Sequence, residues 1–129
     1  MATDMRRALG TRGEDLAAAH LEARGYVVIE RNFRIRSGEL DLVAADRHAL
    51  VFCEVKTRVA TSSSAGVLPF ESIRPAKRAR LRRLAREWLR MRPAASGRPT
   101  RAQLRFDAIG VVLSPSGELL SLEHLEDAF

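Results

Sequence analysis

The sequence predicts one α/β domain whose elements run α-β-β-β-α-β, with the strands in a mixed sheet flanked by helices. Three observations carry this. The chain has 129 residues, too few for two domains that each bury a core. Apolar residues recur at helical spacing in two stretches and form short β-rich runs in four others. One helical stretch lies between the third and fourth runs, where it can serve as the crossover of a parallel pair.

Residues 1–24 read as the first helix. Ala8, Leu9, Leu16, Ala17, His20 and Leu21 fall at helical spacing, and Gly25 supplies the stop. Thr11 to Glu14 has the spacing of a capping box, so the helix begins there or earlier. Tyr26–Glu30 is rich in β-formers and reads as the first strand. Arg36-Ser37-Gly38 is a turn, Glu39–Ala45 a second strand, Asp46-Arg47-His48 a short link, and Ala49–Lys56 a third strand. Such short links imply an antiparallel meander. Arg58–Phe70 reads as a loop, long enough to be mobile or functional. Pro75 suits a helix first turn, and residues 75–92 carry Leu81, Leu84, Ala85, Trp88 and Leu89 on one apolar face. Pro93 closes this helix, and Ala94–Thr100 form a second loop. Arg105–Leu113 is the fourth strand, Ser114 to Gly117 a turn, and Leu119–Phe129 a further short strand or helical turn.

Composition narrows the class. Apolar residues are 46% of the chain and charged residues 29%, a mixture that suits a soluble core rather than a membrane protein or a disordered chain. The single cysteine, Cys53, excludes an internal disulfide framework and a cysteine-based zinc cluster. No apolar run approaches the roughly 20 residues of a membrane helix, and no apolar segment follows the N-terminal arginines. A cytoplasmic protein without membrane attachment is the expectation. The net charge of +6 favours a polyanionic partner. Twenty of the 22 bases are arginine, which genomic composition also produces. The two lysines, Lys56 and Lys77, stand out for that reason: each is a candidate for work a guanidinium cannot do.

The informative pattern lies on the second and third strands. Residues two apart share a strand face, so Glu39 and Asp41 point one way, as do Glu54 and Lys56. Leu40, Leu42, Val51, Cys53 and Val55 are expected on the opposite, core face. Three acids and a lysine thus sit inside strands that read as mostly buried, where an unpaired charge costs several kcal/mol. A salt-bridge ladder is one solution. A single Lys56 cannot balance Glu39, Asp41 and Glu54, with Glu14 nearby on the first helix; a divalent cation balances two carboxylates and leaves Lys56 for the third. Oxygen donors without His or Cys favour Mg²⁺ or Mn²⁺. Such an ion beside a lysine, in a basic protein, points to phosphodiester hydrolysis. The ion polarises the phosphoryl oxygen and activates a water, and the lysine orients that water or stabilises the transition-state charge.

Asp41 followed by Glu54-Val55-Lys56 on the next strand resembles the D…(D/E)-x-K signature of the PD-(D/E)XK nuclease superfamily. Further segments narrow the match: Gly13-Glu14, Gly25-Tyr26, Arg31-Asn32-Phe33-Arg34, Gly38 to Leu42, Val51 to Arg58, and Arg105-Phe106-Asp107. Together they resemble the YraN-type family of predicted endonucleases, distant relatives of archaeal Holliday-junction resolvases. The resemblance runs from about Gly10 to Leu113 and implies a restriction-endonuclease-like fold. It makes Asp41 and Glu54 metal ligands, with the Val55 carbonyl as a third, and Lys56 the catalytic lysine. Glu14 matches a helix acid that assists the metal, and Glu39 a family acid that binds a second ion or holds Arg36. Leu40 stands where the superfamily name places proline.

Lys77, Arg78 and Arg82 belong to a run of nine bases and one acid between Arg74 and Arg92. This reads as a phosphate-tracking stripe, or as a solvated helix face. Arg31, Arg34, Arg36 and Arg58 flank the acids as further phosphate contacts, or pair with Glu30 and Glu39. Glu14 is either a capping-box residue or a site residue. His20, His48 and His124 are too scattered for a ligand set, and Trp88 reads as core. The expected activity is metal-dependent endonucleolytic cleavage of DNA, including branched or repair intermediates, with a two-fold homodimer if the substrate is a four-way junction. The alternative is a nucleic-acid-binding module of the same fold that does not cleave.

Overall fold

The computed structural model describes residues 2–60, 75–92 and 103–129. The expected loops over Arg58–Phe70 and Ala94–Thr100 fall mostly or wholly outside these residues. Within them the order is α1 (Ala2–Ala23), β1 (Val27–Ile35), β2 (Gly38–Ala45), β3 (Ala49–Val59), α2 (Pro75–Met91), β4 (Gln103–Leu113) and β5 (Leu119–Leu125).

α1 begins well before Thr11, so the capping-box spacing lies mid-helix and Glu14 has no capping role. The helix ends as its glycine predicts. Gly25 takes φ 93°, its N–H donates to Glu22 O at 3.0 Å, and the Tyr26 N–H donates to Leu21 O at 3.0 Å. That bond pair is a Schellman cap. β1 runs five residues past its predicted end, because Arg31 to Ile35 pair with Gly38 to Leu42 of β2. β3 likewise passes Lys56 and carries Arg58 and Val59, predicted as loop, along the edge of β4. In the β2–β3 turn, Asp46 Oδ1 accepts the His48 and Ala49 N–H groups, each at 2.8 Å.

The strands form one sheet in the order β1-β2-β3-β4-β5. β1, β2 and β3 are an antiparallel meander, β4 pairs parallel to β3, and β5 returns antiparallel to β4. The predicted crossover geometry is therefore present, and the open choice for Leu119–Phe129 resolves as a strand. One helix covers each face. Ala17, Ala18 and Leu21 of α1 pack with Leu42, Val51, Cys53, Ile109 and Val111. Leu81, Leu84, Ala85 and Trp88 of α2 pack with Leu40, Val43, Phe52 and Phe106, and Phe129 joins this side. Trp88 is fully buried, and its indole N–H donates to Glu30 Oε1 at 2.9 Å.

The buried charge of β4 is satisfied internally. Asp107 is fully buried. It accepts from Arg105 through both oxygens, each at 2.9 Å, from the Asp127 N–H at 3.0 Å, and shares a 2.7 Å bond with His124 Nε2. His124 Nδ1 meets His20 Nε2 at 3.1 Å, so two histidines of the predicted scatter meet inside a structural network. No helix among the described residues is long and apolar enough to cross a membrane.

Candidate functional site

The acids converge where β2 leaves β3. The ladder between these strands runs from Ala45↔Leu50 to Leu42↔Cys53 and stops. Asp41 and Glu54 are the next residues on each side. The Val55 N–H donates to Asp41 Oδ2 at 2.8 Å, so a carboxylate, not a strand carbonyl, receives it. Leu42, Val51, Cys53 and Val55 share the α1 side, as expected, but Leu40 packs on the α2 side. Residues two apart on a regular strand share a face. The alternation therefore breaks across Asp41, at the place where β2 is released from its partner.

α1 reaches this fork because residue 13 is glycine. A Cβ there would lie 1.9 Å from Thr57 Oγ1 and 2.9 Å from Thr57 Cβ, so only a hydrogen permits the helix to sit this close to β3. Glu14 comes next. One oxygen each from Glu14, Glu39 and Asp41 lies within 4.8 Å of the others. Asn32 ties the group to β1. In the orientation that satisfies its neighbours, its amide nitrogen donates to Glu14 Oε1 at 3.0 Å and Glu39 Oε1 at 3.2 Å. Its backbone sits at φ 54°, a region asparagine tolerates better than most residues.

Burial and crowding make Asp41 and Glu14 reluctant to ionise. Burial pushes Asp41 up to about 7; the Val55 N–H opposes the rise, and the nearby Glu14, Glu39 and Glu54 reinforce it. Glu14 is raised as well, first by burial, with the Asn32 bond lowering it and the Glu39 charge raising it. The donor set is carboxylate oxygen with no His or Cys in the group, which suits a hard divalent cation. A cation would also replace the proton that the cluster otherwise retains.

The residues that build this fork lie within the part of the chain shared with known proteins. Residues 13–111 match a family described as "Uncharacterised protein family UPF0102". The chain belongs to the UPF0102 family. It is 46% identical over 122 residues to a UPF0102 protein of Frankia casuarinae, covering 95% of this chain and 96% of that one. It is 52% identical over 104 residues to a UPF0102 protein of Leifsonia xyli, 81% of each chain, and 43% identical over 129 residues to one of Frankia alni, 100% of each. The UPF0102 match opens at Gly13, beside Glu14, and closes at Val111 of β4.

The remaining expected site residues divide. Glu54 stands outside the trio of acids, held by Lys77 Nζ of α2 at 2.9 Å from Oε1. Lys77, expected among the phosphate contacts, thus turns toward the acids. Lys56 follows Glu54 by two on β3 and is half-buried. Val55 meets the site through its N–H, whereas the sequence reading used its carbonyl. Glu39 pairs with Arg34 and not with Arg36; Arg34 Nε donates to Glu39 Oε2 at 2.9 Å. Arg31 is bound to Asp15 at 2.6 Å. Arg82 donates to Phe129 O at 3.0 Å and lies over the Phe106 ring. Arg36, Arg58 and Arg78 are exposed. Sequence reasoning assigned no role to Asn32, although it lies in the Arg31-Asn32-Phe33-Arg34 segment; a polar amide between two strand-forming stretches was the available signal.

Proposed function

We propose that this UPF0102 protein is a divalent-metal-dependent endonuclease of the PD-(D/E)XK superfamily, with a restriction-endonuclease-like fold, hydrolysing phosphodiester bonds of DNA in the cytoplasm. The observation that carries the reading is the convergence of Glu14, Glu39 and Asp41 within 4.8 Å at the β2–β3 fork, next to Glu54 and Lys56. Four carboxylates at one fork, in a protein of net charge +6, are poorly explained as a phosphate-binding surface, because they repel the ligand.

Mg²⁺ or Mn²⁺, when bound, supplies Lewis-acid stabilisation of charge on the phosphoryl group. Asp41 would hold it, with Glu14 and Glu39 on one side and Glu54 on the other. The Val55 N–H fixes the Asp41 carboxylate in place. Lys56 brings an ammonium to the rim, where it stabilises negative charge developing on the substrate. Arg36, Arg58 and Arg78 hold the strand by its phosphates. A four-way junction as substrate calls for two such chains related by a two-fold axis.

A binding module that does not cleave is the second reading. The Arg34–Glu39 and Lys77–Glu54 pairs favour it, since they already neutralise two acids. Incubating the protein with linear, nicked, flap and four-way DNA in Mg²⁺ or Mn²⁺ separates the two. Cleavage that disappears in both Asp41→Asn and Lys56→Ala, purified in parallel, supports the nuclease. Unaltered DNA in every arm, with binding retained, supports the module.

A further inference from the structure

The chain uses lysine twice against 20 arginines; Lys77 pairs with Glu54, and Lys56 follows Glu54 by two residues. Lys56 lies on β3 itself. Lys77 lies in the first turns of α2, whose other described bases, Arg78, Arg80, Arg82, Arg83, Arg86 and Arg90, are all exposed arginines. Lys77 is the one base of α2 that is not exposed. Its Nζ sits 2.9 Å from Glu54 Oε1, and the two side chains are only 17% and 19% exposed. The choice of base has a chemical meaning. A guanidinium would grip the carboxylate through two parallel bonds, whereas an ammonium is a single point charge that water solvates strongly. Lysine gives the weaker grip.

The pair also determines what Glu54 can do. Glu14, Glu39 and Asp41 gather without it, and Glu54 is engaged toward α2. A cation that takes Asp41 and Glu54 together must take Glu54 from Lys77. We propose that Lys77 is an exchangeable counter-ion: it neutralises Glu54 while the site lacks a divalent cation and releases it when the cation binds. The inference rests on the metal-dependent reading of the site and deepens it. Lys77 acts through Glu54, as a positioning residue. Exchange keeps the carboxylate oriented before loading, and it ties loading to α2, the helix that carries the exposed arginines. The released ammonium is then available to a substrate phosphate.

The test uses the full chain with lysine labelled at ¹³Cε, which places two reporters in the whole protein. Lys77→Met identifies which signal belongs to Lys77. On titration with Mg²⁺, that signal should move saturably toward the position it holds in metal-free Glu54→Gln. By titration calorimetry, Lys77→Met should bind Mn²⁺ about tenfold more tightly, the lower end for losing a competing charge-assisted hydrogen bond, and Lys77→Arg more weakly than wild type. If Lys77→Met does not fold, the wild-type and Glu54→Gln spectra decide alone. A Lys77 signal unmoved while wild type binds Mn²⁺, with equal affinity in all variants, makes Lys77 a fixed structural partner and leaves the metal site standing. Weaker Mn²⁺ binding in Lys77→Met overturns the exchange as well. Absence of any Mg²⁺ or Mn²⁺ binding by wild type removes the metal reading and the exchange together.

Discussion

Gly13 and Asp41 show how single atoms shape the fork. At Gly13 the missing methyl is what admits Thr57. Gly13→Ala should therefore destabilise the protein by about 2 kcal/mol, as overpacking does, and weaken Mn²⁺ binding by moving Glu14. Thr57→Ala in the same chain should restore part of both, since it removes the nearest atom; urea melts and calorimetry on the single and double variants check this. Asp41 acts through charge. Its folded-state value of about 7 lies above the ordinary 3.8, so the fold favours the protonated form. The Asp41 contribution to stability is then fully present below about pH 4 and declines as the pH rises toward 7. In EDTA, Asp41→Asn should be more stable than wild type by roughly 2–4 kcal/mol at pH 8, with the gap closing at acid pH. Equal denaturation midpoints at pH 8 would contradict the strained cluster. The strand spacing made Asp41, Glu54 and Lys56 legible as a group. It put Glu39 beside Asp41 but did not reveal that Glu14 joins those two while Glu54 pairs with Lys77, because that depends on the helix approach at Gly13 and on where α2 docks.

At the scale of elements, β4 and β5 are joined by the buried carboxylate of Asp107, which behaves opposite to Asp41. Burial would raise it, but bonds from His124, Arg105 and the Asp127 N–H hold it below 3.8. Its contribution is present above about pH 4 and is lost as the pH falls through the lowered value. Asp107→Asn should cost about 3–5 kcal/mol at pH 7 by leaving the Arg105 charge poorly paired. Relative to wild type the deficit should shrink near pH 3, as paired melts at the two pH values would show. Existence and order of the elements were readable from periodicity, down to the Gly25 cap. Strand ends were not: β1 continues through Arg31-Asn32, residues of low β-preference, because β2 offers it a ladder. The tail became a strand for the same reason, since the free edge of β4 supplies partners that Leu119–Leu125 lack on their own.

For the whole molecule, the charge balance separates two surfaces. Acids gather at the fork, and exposed arginines stand on β1–β2, β3 and α2. Arg36→Ala with Arg78→Ala should weaken DNA binding for every sequence and reduce the slope of log affinity against log salt by about two. Lys56→Ala should abolish cleavage while leaving that slope within about one of wild type. Fluorescence anisotropy across a salt series, alongside single-turnover cleavage, measures both. The total charge was plain in the sequence. Which of the described arginines are left without a protein partner was not, because Arg31, Arg34 and Arg82, though exposed, are each engaged by residues that only the fold brings near.

The parallel ladder has a kinetic consequence. Every residue of β3 pairs with one 54 positions later, from Ala49↔Gln103 to Val59↔Leu113, whereas the β1–β3 hairpins close through short turns. Loop-closure entropy sets the order: the meander can assemble early, and the central ladder must wait until a long stretch of chain has been gathered. Glu14, Glu39, Asp41 and Glu54 all precede residue 60, and Lys77 arrives only with α2. In the early species the acids therefore face one another without that ammonium. Trp88, the one tryptophan, becomes buried when α2 docks and so reports the late step. Stopped-flow refolding should show its emission change on roughly the millisecond-to-second scale of non-local topologies, and faster with Mg²⁺ in the buffer, because the cation stands in for a charge the chain has not yet delivered.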